Sequence, residues 1–251
     1  MTHKLFLFDV FSYSCMNCLR SLDYITKISN KYEKYGLKTV LLHTPEWHFE
    51  KNKNNISRVL KKQKIKFPII IDKEKKRIKK LKINFWPSQI LIKDDKILYK
   101  HIGEGNYKVL EDNIIKILKT KSKRIFNNEP KYTKFPTVYA GKKKKGRISS
   151  TKNKLKFGII YKEGEWKQNN EFLYGHGLIK IKTKGKIINF VAKSINKKHI
   201  NLKIKIKDKI IGNLKINDPQ LYNITKLKNN KPQILSLETK SKLAIYSFTF
   251  R

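Results

Sequence analysis

Residues 4–19 read KLFLFDVFSYSCMNCL, and the fold turns on this stretch. Residues 4–11 form a short run rich in Phe and Leu, the composition of a buried strand, and they lead straight into Cys15-Met16-Asn17-Cys18. Leu19, Leu22, Ile25, Ile28 or Ser29, and Tyr32 then recur every three to four residues, which predicts a helix, and Gly36 supplies its C-terminal stop. A strand-to-helix junction at this point puts the sulfur of Cys15 at a helix N-terminus. Exposed backbone N–H groups and the helix dipole favour a thiolate there, so Cys15 is the expected attacking nucleophile. Cys18, one turn further in, is placed to attack a mixed disulfide on Cys15 and is the expected resolving thiol.

Outward from this motif the pattern alternates. Residues 37–43 (LKTVLLH) predict a second strand, and Phe49, Ile56, Val59 and Leu60 predict another helix. Residues 67–71 (FPIII) give a third buried strand, Lys73 to Leu81 a short basic helix, and Gln89 to Ile92 a fourth strand. Asp94-Asp95 turns the chain, so residues 96–102 (KILYKHI) return antiparallel as a hairpin, and Val109 to Leu118 carries a final helix. The order β-α-β-α-β-α-β-β-α specifies an α/β fold, a mixed sheet with helices on both faces, over residues 1–120.

After residue 120 the periodicity changes. Residues 121–136 (KSKRIFNNEPKYTKFP) hold two prolines and little pattern, as expected of a linker. Residues 137–251 then carry short alternating segments at 155–161, 178–183, 186–192, 200–206, 209–216, 220–225, 233–238 and 243–250, the signature of an all-β sandwich with no helix of length.

Composition narrows the function classes. The net charge of +40 arises from 59 Lys plus Arg against 19 Asp plus Glu, and invites a reading as a basic polyanion-binding protein. The lysines are nevertheless spread over both halves beside abundant Ile and Asn, so nucleic acid is not the expected partner, and Lys142 to Lys145 reads as a solvated loop. Two cysteines rule out a disulfide scaffold, and the lack of a second Cys/His pair at ligand spacing excludes a structural zinc site. No His follows Cys18, which argues against covalent haem attachment. No stretch approaches the roughly 20 apolar residues of a membrane span, and Asp9 interrupts the apolar N-terminus, against a signal peptide.

Five blocks in order carry a resemblance: YSCMNCL at 13–19, HTPEWHFEK at 43–51, FPIIID at 67–72, NFWPSQILI at 84–92 and HIGEGNY at 101–107. Through about residue 118 the chain resembles the TlpA/ResA-like thioredoxin family, and within it the soluble C-terminal region of DipZ-type thiol–disulfide proteins. The resemblance implies a thiol–disulfide oxidoreductase that needs no cofactor beyond its own redox-active disulfide. It implies protein disulfides or dithiols as substrates and a separate electron donor or acceptor protein. A cis proline beside the cysteines is implied at Trp86-Pro87. Glu46 matches the family's glutamate after the second strand and is the implied proton relay, with a surface Glu opening a helix as the alternative. Asp9, six residues before Cys15, matches the buried aspartate of thioredoxin itself, implying a proton acceptor for Cys18 and leaning towards reductase chemistry. Tyr13 and Asn17 belong to the block around the cysteines and support the site. The related peroxidase signature needs Pro and Thr where Phe8 and Ser12 stand. His43 and His48 read as structural.

From Pro136 onward, PTVYAG, GEWKQNNEFLY at 164–174, DPQLYNI at 218–224 and AIYSFTF at 244–250 resemble the C-terminal module of DipZ-type proteins, a jelly-roll sandwich likened to carbohydrate-binding modules. Tyr161, Trp166, Tyr174 and Tyr222 are candidate faces for a sugar ring, set against the commoner role of aromatics in a sandwich core. A glycan- or surface-binding adhesion module with secondary redox activity is therefore the alternative function. The family's N-terminal hairpin and membrane electron-conducting part have no counterpart here. DipZ-type domains work outside the cytoplasm whereas the missing signal points to the cytoplasm, so the residues leave the compartment open.

Overall fold

Strand β1 (Leu5–Phe11) is the centre of the first sheet in the computed structural model of the chain, which describes residues 4–128, 135–150, 154–196, 198–227 and 229–251. Two compact units divide the chain, Met1–Lys131 and Tyr132–Arg251. In the first, β1 is followed by α1 (Met16–Tyr32), β2 (Leu37–His43), α2 (Lys53–Lys62), β3 (Ile69–Ile71), α3 (Lys76–Lys80), β4 (Ser88–Lys93), β5 (Lys96–Ile102) and α4 (Tyr107–Leu118). The strand order is β3-β2-β1-β4-β5. Strands β1, β2 and β3 are parallel, each pair joined by a crossover helix, while β4 and β5 run antiparallel. Asp94 and Asp95 both take positive φ, the backbone a two-residue hairpin turn requires.

Period-two alternation in β1 separates two cores. Leu5 and Leu7 pack with Ile25, Ile28 and Tyr32 of α1, Leu91 of β4, and Leu110 and Ile114 of α4. Val10 faces the other way, with Leu42, Ile78, Ile83 and Ile90. Asp9 shares its parity with Leu5 and Leu7 and so points to the α1 side. Helix α1 has no acidic residue in its first turn. Burial of Leu22, Ile25 and Ile28, about 1.5–3 kcal/mol each, is what secures it.

Two elements differ from the sequence expectation. Strand β3 is three residues long because Pro68 has no N–H for the ladder and contributes only its carbonyl, to Leu41 N at 2.9 Å. The predicted linker is in part structured: Glu111 of α4 accepts the N–H groups of Ile125 (2.7 Å) and Phe126 (3.0 Å), and the Phe126 ring lies 5.2 Å from Tyr24. Buried Glu111 needs these donors, and a polar, unpatterned segment gives no sign of supplying them. Residues 129–134 of the expected linker lie outside the described residues.

The second unit is all-β among the described residues apart from a 3₁₀ turn at Lys142–Lys144. Its strands are β6 (Val138–Tyr139), β7 (Ile148–Ser149), β8 (Ile160–Gln168), β9 (Leu173–Thr183), β10 (Ile187–Ser194), β11 (Ile200–Ile206), β12 (Lys209–Ile216), β13 (Gln220–Lys226) and β14 (Gln233–Phe250). The path β12-β11-β14-β9-β8-β7 forms one layer, and β10 joins β13 to β14 in the other. Between them lie Ile181, Phe190, Leu202, Ile204, Leu235, Leu237 and Phe248, a β-sandwich core. The segments 233–238 and 243–250, expected as two strands, are one strand of 18 residues. A register shift between Thr239 and Leu243 absorbs the polar stretch that interrupts the alternation. Strand β8 begins at Ile160 and takes in residues first read as loop, and β9 begins five residues earlier than its alternation suggested.

Candidate functional site

Strand β1 ends at Phe11, and the loop Ser12–Ser14 delivers Cys15 to the N-cap of α1 with φ −82° and ψ 117°. Cys15 N donates to Ser12 O (3.1 Å), its carbonyl accepts Leu19 N (3.0 Å), and its Sγ accepts the N–H of Cys18 at 3.3 Å. An orphan helix N–H thus stabilises negative charge on the sulfur. Both cysteines are free thiols; Cys15 is half-buried and Cys18 is 0% exposed. Burial pushes the Cys18 thiol well above its ordinary range, and the neighbouring Cys15 adds to the rise, while a hydrogen bond with the Ser12 backbone opposes it. The pair is asymmetric, one sulfur reachable and helix-capped, the other dry.

Asp9 lies behind the pair, fully buried on β1 opposite Gln89 of β4. Gln89 Nε2 donates to Asp9 Oδ1 (2.8 Å) and also approaches Ser21 Oγ (3.2 Å). Burial pushes the Asp9 carboxyl up to about 7, and its charge in turn raises the Cys18 thiol.

Glu46 is half-buried, and its backbone N–H bonds the carboxylate of a second glutamate, Glu50. Glu50 is the fully buried one. Its Oε1 accepts Ser12 Oγ (2.7 Å) and Ser14 N (3.0 Å), its Oε2 the N–H groups of Glu46 and Trp47, and burial raises it to about 7. Sequence reasoning singled out Glu46 and passed over Glu50. Its position between buried Phe49 and the first turn before α2 was the available signal, but two of its four partners lie 36 and 38 residues away. Tyr13 is buried and stacks on His43 (centroids 5.6 Å apart), whose other flank meets Phe11 edge-on at 5.3 Å. Neither ring nitrogen of His43 has a hydrogen-bond partner among the described residues, and burial lowers it to about 3, so the ring is neutral.

The Trp86–Pro87 peptide is cis. Pro87 precedes the Ser88–Val10 register pair, at the end of the sheet from which β1 runs on to Cys15, and its carbonyl accepts Gly103 N at 2.8 Å. Trp86 carries the Lys75 ammonium 5.0 Å above its ring. Asn17, exposed between the cysteines, accepts from Arg20 (2.6 Å), which in turn grips Glu104 of the 101–107 block through two bonds of 2.7 and 2.6 Å. Arg20 and Glu104 were also missed; only the fold brings them together.

In the second unit, Trp166 (6% exposed) and Tyr222 (8%) belong to the sandwich core. Tyr161 is buried too, and its hydroxyl accepts Lys156 N. All three side chains are largely buried. Tyr174 is half-buried beside Phe172. Among the described residues no group of three or more His, Cys, Asp or Glu is arranged to hold a metal, and no helix is long and apolar enough to cross a membrane.

Residues 2–116 match the model of the family described as Redoxin, and residues 133–250 match that of a thioredoxin-like C-terminal domain. Protein DipZ of Mycobacterium tuberculosis (strain CDC 1551 / Oshkosh) is 30% identical over 137 residues, which cover 54% of this chain and 20% of DipZ. Thiol-disulfide oxidoreductase ResA of Bacillus cereus (strain ZK / E33L) is 30% identical over 104 residues, 41% of this chain and 57% of ResA. The structure of StoA from Bacillus subtilis aligns with a TM-score of 0.39 at 18% identity, covering 45% of this chain and 84% of that one. The chain spans about a fifth of the length of the DipZ relatives it matches. With a free Cys-x-x-Cys pair at the helix N-terminus, a Redoxin match over residues 2–116, and DipZ and ResA among its relatives, the first unit is similar to the thioredoxin-like thiol–disulfide oxidoreductases.

Proposed function

We propose that the Cys15–Cys18 pair passes two electrons to disulfides in other proteins. The Cys15 thiolate attacks one sulfur of the substrate disulfide; a mixed disulfide forms, and the other substrate sulfur leaves as a thiolate. Cys18 then gives up its proton and attacks Cys15 Sγ, closing the Cys15–Cys18 disulfide and expelling the second substrate thiolate. Asp9 takes the Cys18 proton: its carboxyl, raised by burial to about 7, can accept and release a proton near neutral pH. Pro87 borders the substrate, and Glu46 relays a proton. A separate dithiol protein returns the pair to the reduced form.

The observation that carries this reading is the asymmetry of the two sulfurs, with Cys15 Sγ accepting a helix N–H at 3.3 Å and Cys18 fully buried. A dithiothreitol-driven insulin-reduction assay tests it. Turnover that disappears when Cys15 is replaced supports the reading, and turnover at the rate of dithiothreitol alone overturns it.

A further inference from the structure

Glu50 is a fully buried carboxyl that neither touches a cysteine nor takes part in the exchange steps above. Burying a carboxylate is costly without donors, and Glu50 has four, in two pairs. One pair is local: the N–H groups of Glu46 and Trp47 reach Oε2, the arrangement of an ordinary turn. The other is not: Ser12 Oγ and Ser14 N reach Oε1 from the loop that leads into Cys15. In that loop Tyr13 packs against His43 and Phe49, while Ser14 Oγ is buried with no partner among the described residues.

Ser12 is the residue through which both cysteines are held. Its carbonyl accepts the N–H of Cys15 at 3.1 Å, and its backbone also hydrogen-bonds Cys18, favouring the thiolate of a thiol that burial otherwise disfavours. Once a disulfide closes, its sulfurs carry no charge and gain little from such donors, whereas the dithiol and its thiolates gain fully.

We propose that Glu50 is a positioning residue of the redox centre: by clamping Ser12 and Ser14 against the 46–47 turn it holds the loop that supports both sulfurs, and so sets how far dithiol is favoured over disulfide. This rests on the exchange reading given above.

The test is equilibration of the full chain with glutathione, in which the protein dithiol and one glutathione disulfide give the protein disulfide and two glutathione thiols. Glu50→Ala removes the clamp, and its equilibrium constant shifts about tenfold towards the protein disulfide, which is about 30 mV for a two-electron couple. Ser12→Ala cuts the same link from the other side and shifts the constant in the same direction. The double variant matches Glu50→Ala, because the two changes break one connection. Glu50→Gln keeps an oxygen for Ser12 and Ser14 but sets its amide against two N–H donors. It therefore loses melting temperature while its constant stays within about threefold of the unaltered chain. Variants with lowered melting temperatures and unchanged constants, or additive effects of Ser12→Ala and Glu50→Ala, overturn the proposal. Should Glu50→Ala fail to fold, an unshifted Ser12→Ala overturns it equally. If the unaltered chain does not equilibrate with glutathione at all, the exchange reading itself fails, a result distinct from a clamp that has no effect.

Discussion

Gln89 donates one 2.8 Å hydrogen bond to Asp9 across the β1–β4 ladder, and the other carboxyl oxygen of Asp9 is buried with no partner among the described residues. One neutral donor does not replace the hydration a carboxylate loses, so the site prefers the protonated form. The folded value of about 7 stands above the ordinary 3.8. Stability from this group is therefore complete below about pH 4 and is lost as pH rises through about 7. Asp9→Asn cannot ionise. Its stability relative to the unaltered chain should improve by up to about 4 kcal/mol between pH 4 and pH 8, read by urea unfolding at both values. Glu50 titrates in the same direction, so the pH dependence shrinks without vanishing. A relative stability that does not change with pH would remove the carboxyl from this role.

The exchange mechanism separates the two sulfurs. Cys15→Ser should abolish insulin reduction, and Cys18→Ser should accumulate a mixed disulfide with substrate, visible as a mass adduct that dithiothreitol releases. Asp9→Asn should slow the resolving step by about ten- to a hundredfold and leave the first attack within a few-fold, in line with the loss of a proton acceptor. Stopped-flow measurement of the two phases checks this; equal slowing of both speaks against the acceptor role.

His43 responds to acid in the opposite sense. Its folded value of about 3 lies below the ordinary 6.5, so its contribution is present above about pH 6.5 and is lost as pH falls towards 3. Phenylalanine there keeps the stacking on Tyr13 and cannot take up a proton. Between pH 6.5 and pH 4 His43→Phe should lose about 2–3 kcal/mol less stability than the unaltered chain, whatever its stability at neutral pH. Parallel acid-unfolding curves would exclude His43 as the sensitive group.

Glu111 is buried at the heart of the first unit, accepting the Tyr32 hydroxyl (2.7 Å) and the N–H groups of Ile125 and Phe126. Glu111→Ala leaves three donors unpaired and should cost the first unit about 3–5 kcal/mol. The transition of the sandwich should stay where it is. Two-step thermal unfolding, followed by calorimetry, distinguishes this from a general loss of stability.

The elements around the cysteines were legible because they are written locally. The apolar run of β1, the three- to four-residue spacing of α1 and the Asp94-Asp95 turn each specify their structure within a dozen residues. The clamp was not legible. Ser12 and Glu50 are 38 residues apart, Arg20 and Glu104 are 84, and a sequence gives such pairs no periodicity to reveal them. Glu46 drew attention because it matches the family's glutamate after the second strand, yet the turn folds its own backbone N–H onto Glu50. In the sandwich, Trp166 and Tyr222 resembled ligand platforms since an aromatic in an alternating strand faces either way, and only the pairing of β8 with β9 and of β10 with β13 turns both inward. Strand β14 read as two because Lys240 to Lys242 break its alternation, although the ladder with β9 resumes at Leu243.

Strand β14 pairs with β6, β9, β10 and β11, all of which precede it in the chain. A ribosome therefore exposes β6 to β13 while the strand that joins their two layers is still unmade. The first unit ends by Lys131, whereas the sandwich must wait for residues 233–250. During that interval the apolar edges of β9, β10 and β11 are uncovered, and non-local pairing of this kind is slow. The net charge of +40 opposes their pairing with neighbouring nascent chains through like-charge repulsion.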